Sequence, residues 1–378
     1  MVQNVLSDSK KKSILICSNY AWTIYNFRLP LIRNLKAEGY QIIILTQFDG
    51  YEKYLFNEAD KVLDLFISRK GINPFVDIFS IFNILLRLFL IRPDFLLNFS
   101  IKPVIYGSIA AKIMRIPSVA MITGLGTGFL LNNWVTGIIK FLYRISIKHS
   151  HAVIFQNQDD LQIFKDNNLV NPDNCYISPG SGIDLESFKY QVFPHNKPKK
   201  LILIARMLKD KGVIEYIEAA EEVNKSHPDI IFQLLGPLGV ENRSAISKKE
   251  MDYLTRSKYI EYLGETDNVK DFIKNSDCVI LPSYREGTSR VLLEAAAIGR
   301  PLIASNVTGC KEIIDHGVNG YLCKSKNSND LAKKIIKFLN LSNEQKKEMG
   351  LNGRKKVEEE FDQEIVFKLY KRILNSPT

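Results

Sequence analysis

Residues 277–301 read D-C-V-I-L-P-S-Y-R-E-G-T-S-R-V-L-L-E-A-A-A-I-G-R-P. The apolar run 278–281 has the pattern of a strand buried on both faces. A turn follows at 282–287 and carries Arg285 and Glu286. From Ser289 the residues are rich in Leu and Ala, and Gly299 and Pro301 stop the helix they predict. Such a unit delivers Glu286 to the carboxyl edge of a parallel sheet, where open α/β sheets bind ligands. Behind Gly287, the amides of Thr288, Ser289 and Arg290 have no partners within that helix, and with its dipole they form an anion site. Glu294 lies one turn beyond Arg290, on the same face. Two carboxylates flanking a phosphate cradle suit a sugar nucleotide, with its diphosphate in the middle and a hydroxyl-rich ring at each end. On these residues alone, a turn-capping Glu286 and a solvated Glu294 account for the pattern equally well.

The chain around this unit has 378 residues, which predicts two domains. Its 46% apolar and 24% charged residues argue against disorder. Five cysteines form no C-x-x-C pair, so free buried thiols are expected. The polar and then basic start predicts no secretory signal. The apolar stretch 75–91 is interrupted by Asp77, Asn83 and Arg87, and predicts a helix packed on a sheet rather than one crossing a membrane. A formal charge of +10 points to an anionic partner, whether phosphates, lipid or nucleic acid.

Short apolar runs alternate with helical patterns along the whole chain. Strands are expected at 13–18, 40–46, 62–67, 95–99, 118–122 and 152–156, with helices at 27–38, 75–91, 104–114, 134–148 and from 159. A polar stretch with two prolines, 188–198, reads as a linker. The pattern then restarts, with strands at 200–205, 230–235, 260–263, 278–281, 301–304 and 320–323 and helices between and after them. This alternation predicts parallel, doubly wound α/β sheets.

Glu286 and Glu294, seven residues between them, preceded by L-P-S and followed by Ala, resemble the donor-site signature of the retaining glycosyltransferases of family 4. The likeness continues through S-N-V-T-G-C-K-E-I-I (305–314) and G-V-N-G-Y-L (317–322). It implies a GT-B fold of two Rossmann-like domains facing a cleft. Residues 1–190 would bind the acceptor and 191–360 the nucleotide sugar, with 361–378 crossing back onto the first domain. In I-A-R-M-L-K-D-K-G, Arg206 and Lys211 stand just past a strand with Gly212. A solvated basic turn is the simpler account of that segment alone. The resemblance instead makes both cations stabilisers of the departing nucleoside diphosphate. Tyr262, Leu263 and Gly264 resemble the segment that holds the nucleobase by backbone contacts.

In the first half, N-F-R (26–28) and N-F-S-I-K-P-V-I-Y-G (98–107) resemble a branch of the family that builds bacterial surface glycans. Arg28 and Lys102 are therefore candidate acceptor contacts, Lys102 for an acceptor phosphate. The glycines Gly124, Gly126 and Gly128 do not form a dinucleotide fingerprint. The third glycine would fall at Phe129, and no acid follows until Asp159. T-G-L-G-T-G-F resembles instead the acceptor-side loop of transferases acting on polyprenyl-diphosphate sugars, which assigns Gly124 and Gly126 to the acceptor. No Asp-x-Asp occurs, and His149 and His151 without a nearby carboxylate are a weak metal signal.

The resemblance thus implies retaining transfer from a UDP-sugar, with no metal or other cofactor. The transferred sugar would be an N-acetylhexosamine or related hexose, and the acceptor a lipid-linked sugar at the inner face of the cytoplasmic membrane. Two rivals are a UDP-sugar 2-epimerase of similar architecture and a nucleic-acid-binding protein, the latter resting on charge alone. The window 95–158 contains no Asp or Glu. It predicts membrane docking through Lys140, Arg144 and Lys148, one helix stripe, beside Phe129, Leu130, Leu131 and Trp134.

Overall fold

A computed structural model describes residues 11–67, 74–125, 129, 134–194, 199–240 and 242–377. It divides into two compact units, Met1–Ser181 with Val366–Thr378, and Gly182–Ile365.

The first unit holds a seven-stranded parallel sheet. Its strands are β1 (Ser13–Ser18), β2 (Gln41–Thr46), β3 (Lys61–Asp64), β4 (Phe95–Phe99), β5 (Ser118–Ile122), β6 (Ala152–Phe155) and β7 (Cys175–Ile177), in the order β3-β2-β1-β4-β5-β6-β7. The central strands are buried along their length because helices cover both faces. One face carries helices Pro74–Ile91, Ile101–Met114 and Trp134–Ile147, whose Ile84, Leu88, Tyr106 and Tyr143 share a core with Leu15 and Leu96. The other carries Ala21–Ala37 and the last helix, Gln363–Asn375. Val366, Phe367, Tyr370 and Ile373 of that last helix are buried with Ile14 and Ile42.

Two elements differ from the sequence expectation. The segment 19–26, read as a loop, is helical from Ala21, because the Asp49 carboxylate accepts from the Trp22 amide at 3.2 Å. A cap supplied by the next loop leaves no mark in the helix's own sequence. Strand β7 was not expected at all: its three residues, Cys175, Tyr176 and Ile177, are half-buried and too few to stand out as a strand.

The second unit repeats the scheme with six parallel strands. They are β8 (Lys200–Ile204), β9 (Ile231–Leu235), β10 (Ile260–Tyr262), β11 (Cys278–Leu281), β12 (Leu302–Ser305) and β13 (Gly320–Cys323), ordered β10-β9-β8-β11-β12-β13. The unit begins at Gly182 and not at 191. Ile183 pairs with the backbone of Phe361 and Gln363, and Ile183 and Phe188 are buried in this core. The prolines and polar residues of the expected linker hid that pairing, which joins segments far apart in the chain.

Candidate active site

The second sheet reverses strand order between β8 and β11, and ligands bind beyond the carboxyl ends of strands at such a switch point. From β8 the chain makes a single turn, Lys209–Lys211, and reaches Gly212 with φ +73°. A Cβ on Gly212 would lie 2.1 Å from the Pro282 carbonyl, so only glycine lets the β8 turn press against the β11 turn. That approach brings Lys211 Nζ to 2.6 Å from Glu286 Oε1, both side chains largely shielded from solvent.

Glu286 is held from the far side too. Its amide donates to the Thr308 carbonyl at 2.9 Å. Gly309, φ +84°, is so close that an added Cβ would meet Glu286 Cβ at 2.6 Å. The Gly309 amide is in turn fixed by Glu312 at 2.7 Å. The T-G-C-K-E string is thus the backing wall of the Glu286 turn.

Helix Arg290–Ile298 opens directly behind. Its N-cap, Ser289, makes no side-chain capping bond, and the Ser289 amide donates to the Gly309 carbonyl at 2.9 Å. The amide assigned to an anion at Ser289 is therefore engaged by the fold. The helix starts one residue later than expected, so the amides without an intrahelical acceptor are those of Arg290, Val291 and Leu292. They lie on the same carboxyl edge as Glu286.

Within that helix Arg290 Nε donates to Glu294 Oε1 at 2.8 Å. Glu294 is 8% exposed. Burial raises its pKa above the usual carboxylate value, and Arg290 pulls the other way. A carboxyl raised in the folded state costs stability as pH climbs through its unfolded value, and at neutral pH that cost is present. Glu294→Gln should therefore leave the ligand-free Tm at pH 7 unchanged or higher. UDP affinity should fall about ten- to a hundredfold, the loss of one charged hydrogen bond. Thermal melts beside calorimetric UDP titration check both halves; a lower Tm with unchanged affinity would make Glu294 a purely structural residue.

Arg206 is exposed at this edge, and its guanidinium has no partner among the described residues. Tyr262, Leu263 and Gly264 lace the ends of β9 and β10 together. The Tyr262 hydroxyl donates to the Gly236 carbonyl at 2.9 Å, the Leu263 amide to Leu234 at 2.9 Å, and the Gly236 amide to Gly264 at 2.7 Å. The Tyr284–Glu215 bond, 2.6 Å, was missed by sequence reading. It ties the β11 turn to helix Val213–Asn224, and 69 residues separate its partners.

The candidate acceptor residues of the first unit fare differently. Arg28 is 3% exposed, its guanidinium 4.3 Å from the Phe99 ring centroid, so it is a core cation and not an acceptor contact. Lys102 forms an ion pair with Asp77 at 2.9 Å, and Asp77 also bonds the Tyr106 hydroxyl. Its charge is spent inside the unit. Gly124 follows β5 with φ +131°, and Gly126 lies outside the described residues.

Two cations of the basic stripe have partners on the first unit's own surface, and Arg144 stays exposed. Arg144 donates to the Asn167 carbonyl at 3.0 Å and Lys148 to Asn168 Oδ1 at 3.3 Å. The Arg144 bond satisfies the C-cap carbonyl of helix Gln158–Asp166. Lys140 lies 5.7 Å from the ring of Phe129, itself buried and stacked on Phe164. Phe129 is therefore a core residue, while the stripe itself remains on the surface. Unforeseen in the sequence, Ser100 adopts φ +75°, ψ 155° where β4 meets the next helix. That glycine-favoured conformation costs about 1–3 kcal/mol, and it stands at the β1/β4 switch point of the first sheet.

Two doubly wound parallel units, one with a Lys–Glu pair and an uncapped helix N-terminus at its switch point, have the layout of a GT-B glycosyltransferase. Residues 13–157 match the family described as "Glycosyl transferase 4-like" and residues 186–356 that described as "Glycosyl transferases group 1", and the chain belongs to these glycosyltransferases.

Among curated proteins it is 29% identical, over 94% of its length and 97% of the relative's, to the N,N'-diacetylbacillosaminyl-diphospho-undecaprenol alpha-1,3-N-acetylgalactosaminyltransferase of Campylobacter jejuni. It is 23% identical, over 69% of its length and 71% of the relative's, to the UDP-Gal:alpha-D-GlcNAc-diphosphoundecaprenol alpha-1,3-galactosyltransferase of Escherichia coli. The crystal structure of Anabaena HepE in complex with UDP-glucose superposes with a TM-score of 0.79 at 16% identity, covering 97% of this chain and all of that one.

Proposed function

We propose that this glycosyltransferase moves a hexose or N-acetylhexosamine from a UDP-sugar to a sugar carried on polyprenyl diphosphate, with retention and without a metal. The acceptor stands at the inner face of the cytoplasmic membrane. The observation that carries the reading is the Lys211–Glu286 pair beside the uncapped N-terminus of helix Arg290–Ile298. The diphosphate of the donor would lie against the amides of that N-terminus, with Lys211 and Arg206 as its cations. Glu286 would accept hydrogen bonds from donor-sugar hydroxyls and Glu294 from the ribose. The acceptor oxygen forms its bond to the anomeric carbon on the face from which UDP departs, and its proton passes to the departing phosphate. No enzymic nucleophile is required. The activities for which the Campylobacter and Escherichia relatives are named support the lipid-linked acceptor.

Incubation with membrane extract and a panel of sugar nucleotides tests the reading. Radiolabel from one UDP-sugar should enter the lipid-extractable fraction, and excess EDTA should leave the rate unchanged. Free epimerised sugar nucleotide without transfer would overturn the transferase reading. Loss of activity in chelator that manganese or magnesium restores would overturn the metal-free mechanism.

A further inference from the structure

Helix Pro74–Ile91 packs on the first sheet with one face only. Ile84 and Leu88 are fully buried, and Asp77 and Ser80 also turn inward. On the opposite face Ile78, Phe82, Leu86 and Leu90 follow one another at four-residue spacing and are between 47% and 67% exposed. Such a spacing is a continuous ridge down the helix.

The neighbouring helices continue the apolar surface. Ile101–Met114 packs against this helix and exposes Ile113 at 61%. Trp134–Ile147 packs against that one and exposes Trp134 at 75% and Phe141 at 58%. Single exposed apolar residues are ordinary, but large apolar side chains exposed on three adjacent helices call for a partner.

The charges around the patch are mostly basic, with Asp60 and Asp94 exposed near Leu90 and Arg92. Asp77 is neutralised by Lys102, Asp94 is turned to Ser13 of β1, and no acid occurs from 95 to 158. Arg92, Lys112, Arg115 and His149 are exposed at or just beyond the carboxyl ends of the three helices. The Arg92 guanidinium sits 5.5 Å from the ring of Phe89, so the cationic row joins the apolar face. Lys112, Arg115 and His149 also line a cavity of about 390 Å³ with four serines. An apolar face with a predominantly basic rim matches a bilayer surface carrying anionic headgroups. No helix of the described residues is long and apolar enough to cross a membrane, so these helices would lie on it.

We propose that the outer face of this three-helix layer docks on an anionic bilayer. The ridge Ile78, Phe82, Leu86 and Leu90 enters the acyl boundary, and Arg92, Lys112 and Arg115 lie among headgroup phosphates. The proposal rests on the membrane-borne acceptor argued above, and it takes as the docking surface the apolar ridge rather than the stripe 140–148.

Vesicle flotation of the full chain, with neither donor nor acceptor present, tests it. The parent should float with phosphatidylglycerol vesicles. An Ile78→Ser, Phe82→Ser, Leu90→Ser triple variant should lose at least about tenfold in partitioning, while its melt and UDP affinity stay parental because these side chains are exposed. Lys112→Gln with Arg115→Gln should abolish the preference for phosphatidylglycerol over phosphatidylcholine. In a Trp22→Phe background Trp134 is the one remaining tryptophan, and its emission should shift to the blue on vesicle binding. A parent that does not float, or a triple variant that floats like the parent, overturns the proposal. So does a parent dimer that the triple variant dissolves without any change in lipid binding, since a second copy would then cover the face. Flotation by the parent together with no transfer to lipid-linked acceptors would count against the proposed function and for this surface.

Discussion

Lys211→Ala is expected to lower kcat on the order of a hundredfold or more, the usual consequence of removing one preorganised electrostatic donor from developing transition-state charge. Lys211 is placed for that role by its 2.6 Å pair with Glu286 and by the Gly212 approach that brings the β8 turn against the β11 turn. The ligand-free pair keeps both charges compensated, and an incoming diphosphate competes for the ammonium. Removing Lys211 therefore also leaves Glu286, a largely shielded carboxylate, without its counter-charge. Glu286→Gln should cut turnover too, and the double variant should lose less than the two single losses combined, because the groups touch. Turnover at saturating donor and calorimetric UDP affinity decide it. Near-parental kcat in Lys211→Ala would mean that the departing diphosphate lies elsewhere.

Gly309→Ala should damage both the stability and the activity of the donor unit. The residue has φ +84°, and its added Cβ would overlap backbone and Cβ of Glu286 at 2.6 Å. Strain in the backbone and overpacking each cost about 1–3 kcal/mol. At about 2–4 °C per kcal/mol for a unit of this size, the Tm should fall by roughly 5–15 °C. Activity measured well below the new Tm should still be down at least about tenfold, because the wall behind Glu286 has moved. Gly317→Ala is the control. That glycine has φ +86° but no atom within 4 Å of an added Cβ, so it should lose some stability and no activity. Equal turnover losses in the two variants would show that Gly309 acts through general strain and not through Glu286.

The parallel sheets were legible because a strand buried on both faces is mostly apolar, and β1, β4, β8 and β11 each hold an apolar run. The start of helix Ala21–Ala37 was not legible, because its capping carboxylate comes from Asp49, beyond the following strand. Helix Pro74–Ile91 was half legible. Its apolar content announced a helix packed on a sheet, but composition does not distinguish the face that meets the sheet from the face left to solvent.

The sequence by itself determined the elements and the local geometry of the donor helix, because spacing along one helix is decided by the 3.6-residue turn. Arg290 and Glu294 had to share one face, where the structure joins them. Only the tertiary structure decided which charges are available. Lys211 reaches Glu286 across 75 residues, and Lys102 meets Asp77 across 25. Arg28 is sealed beneath Phe99, and Arg206 alone of these four cations stays exposed and unpaired among the described residues. Whether a cation serves a ligand, a neighbour or the core depends on the charge and burial that face it, and long-range packing sets both.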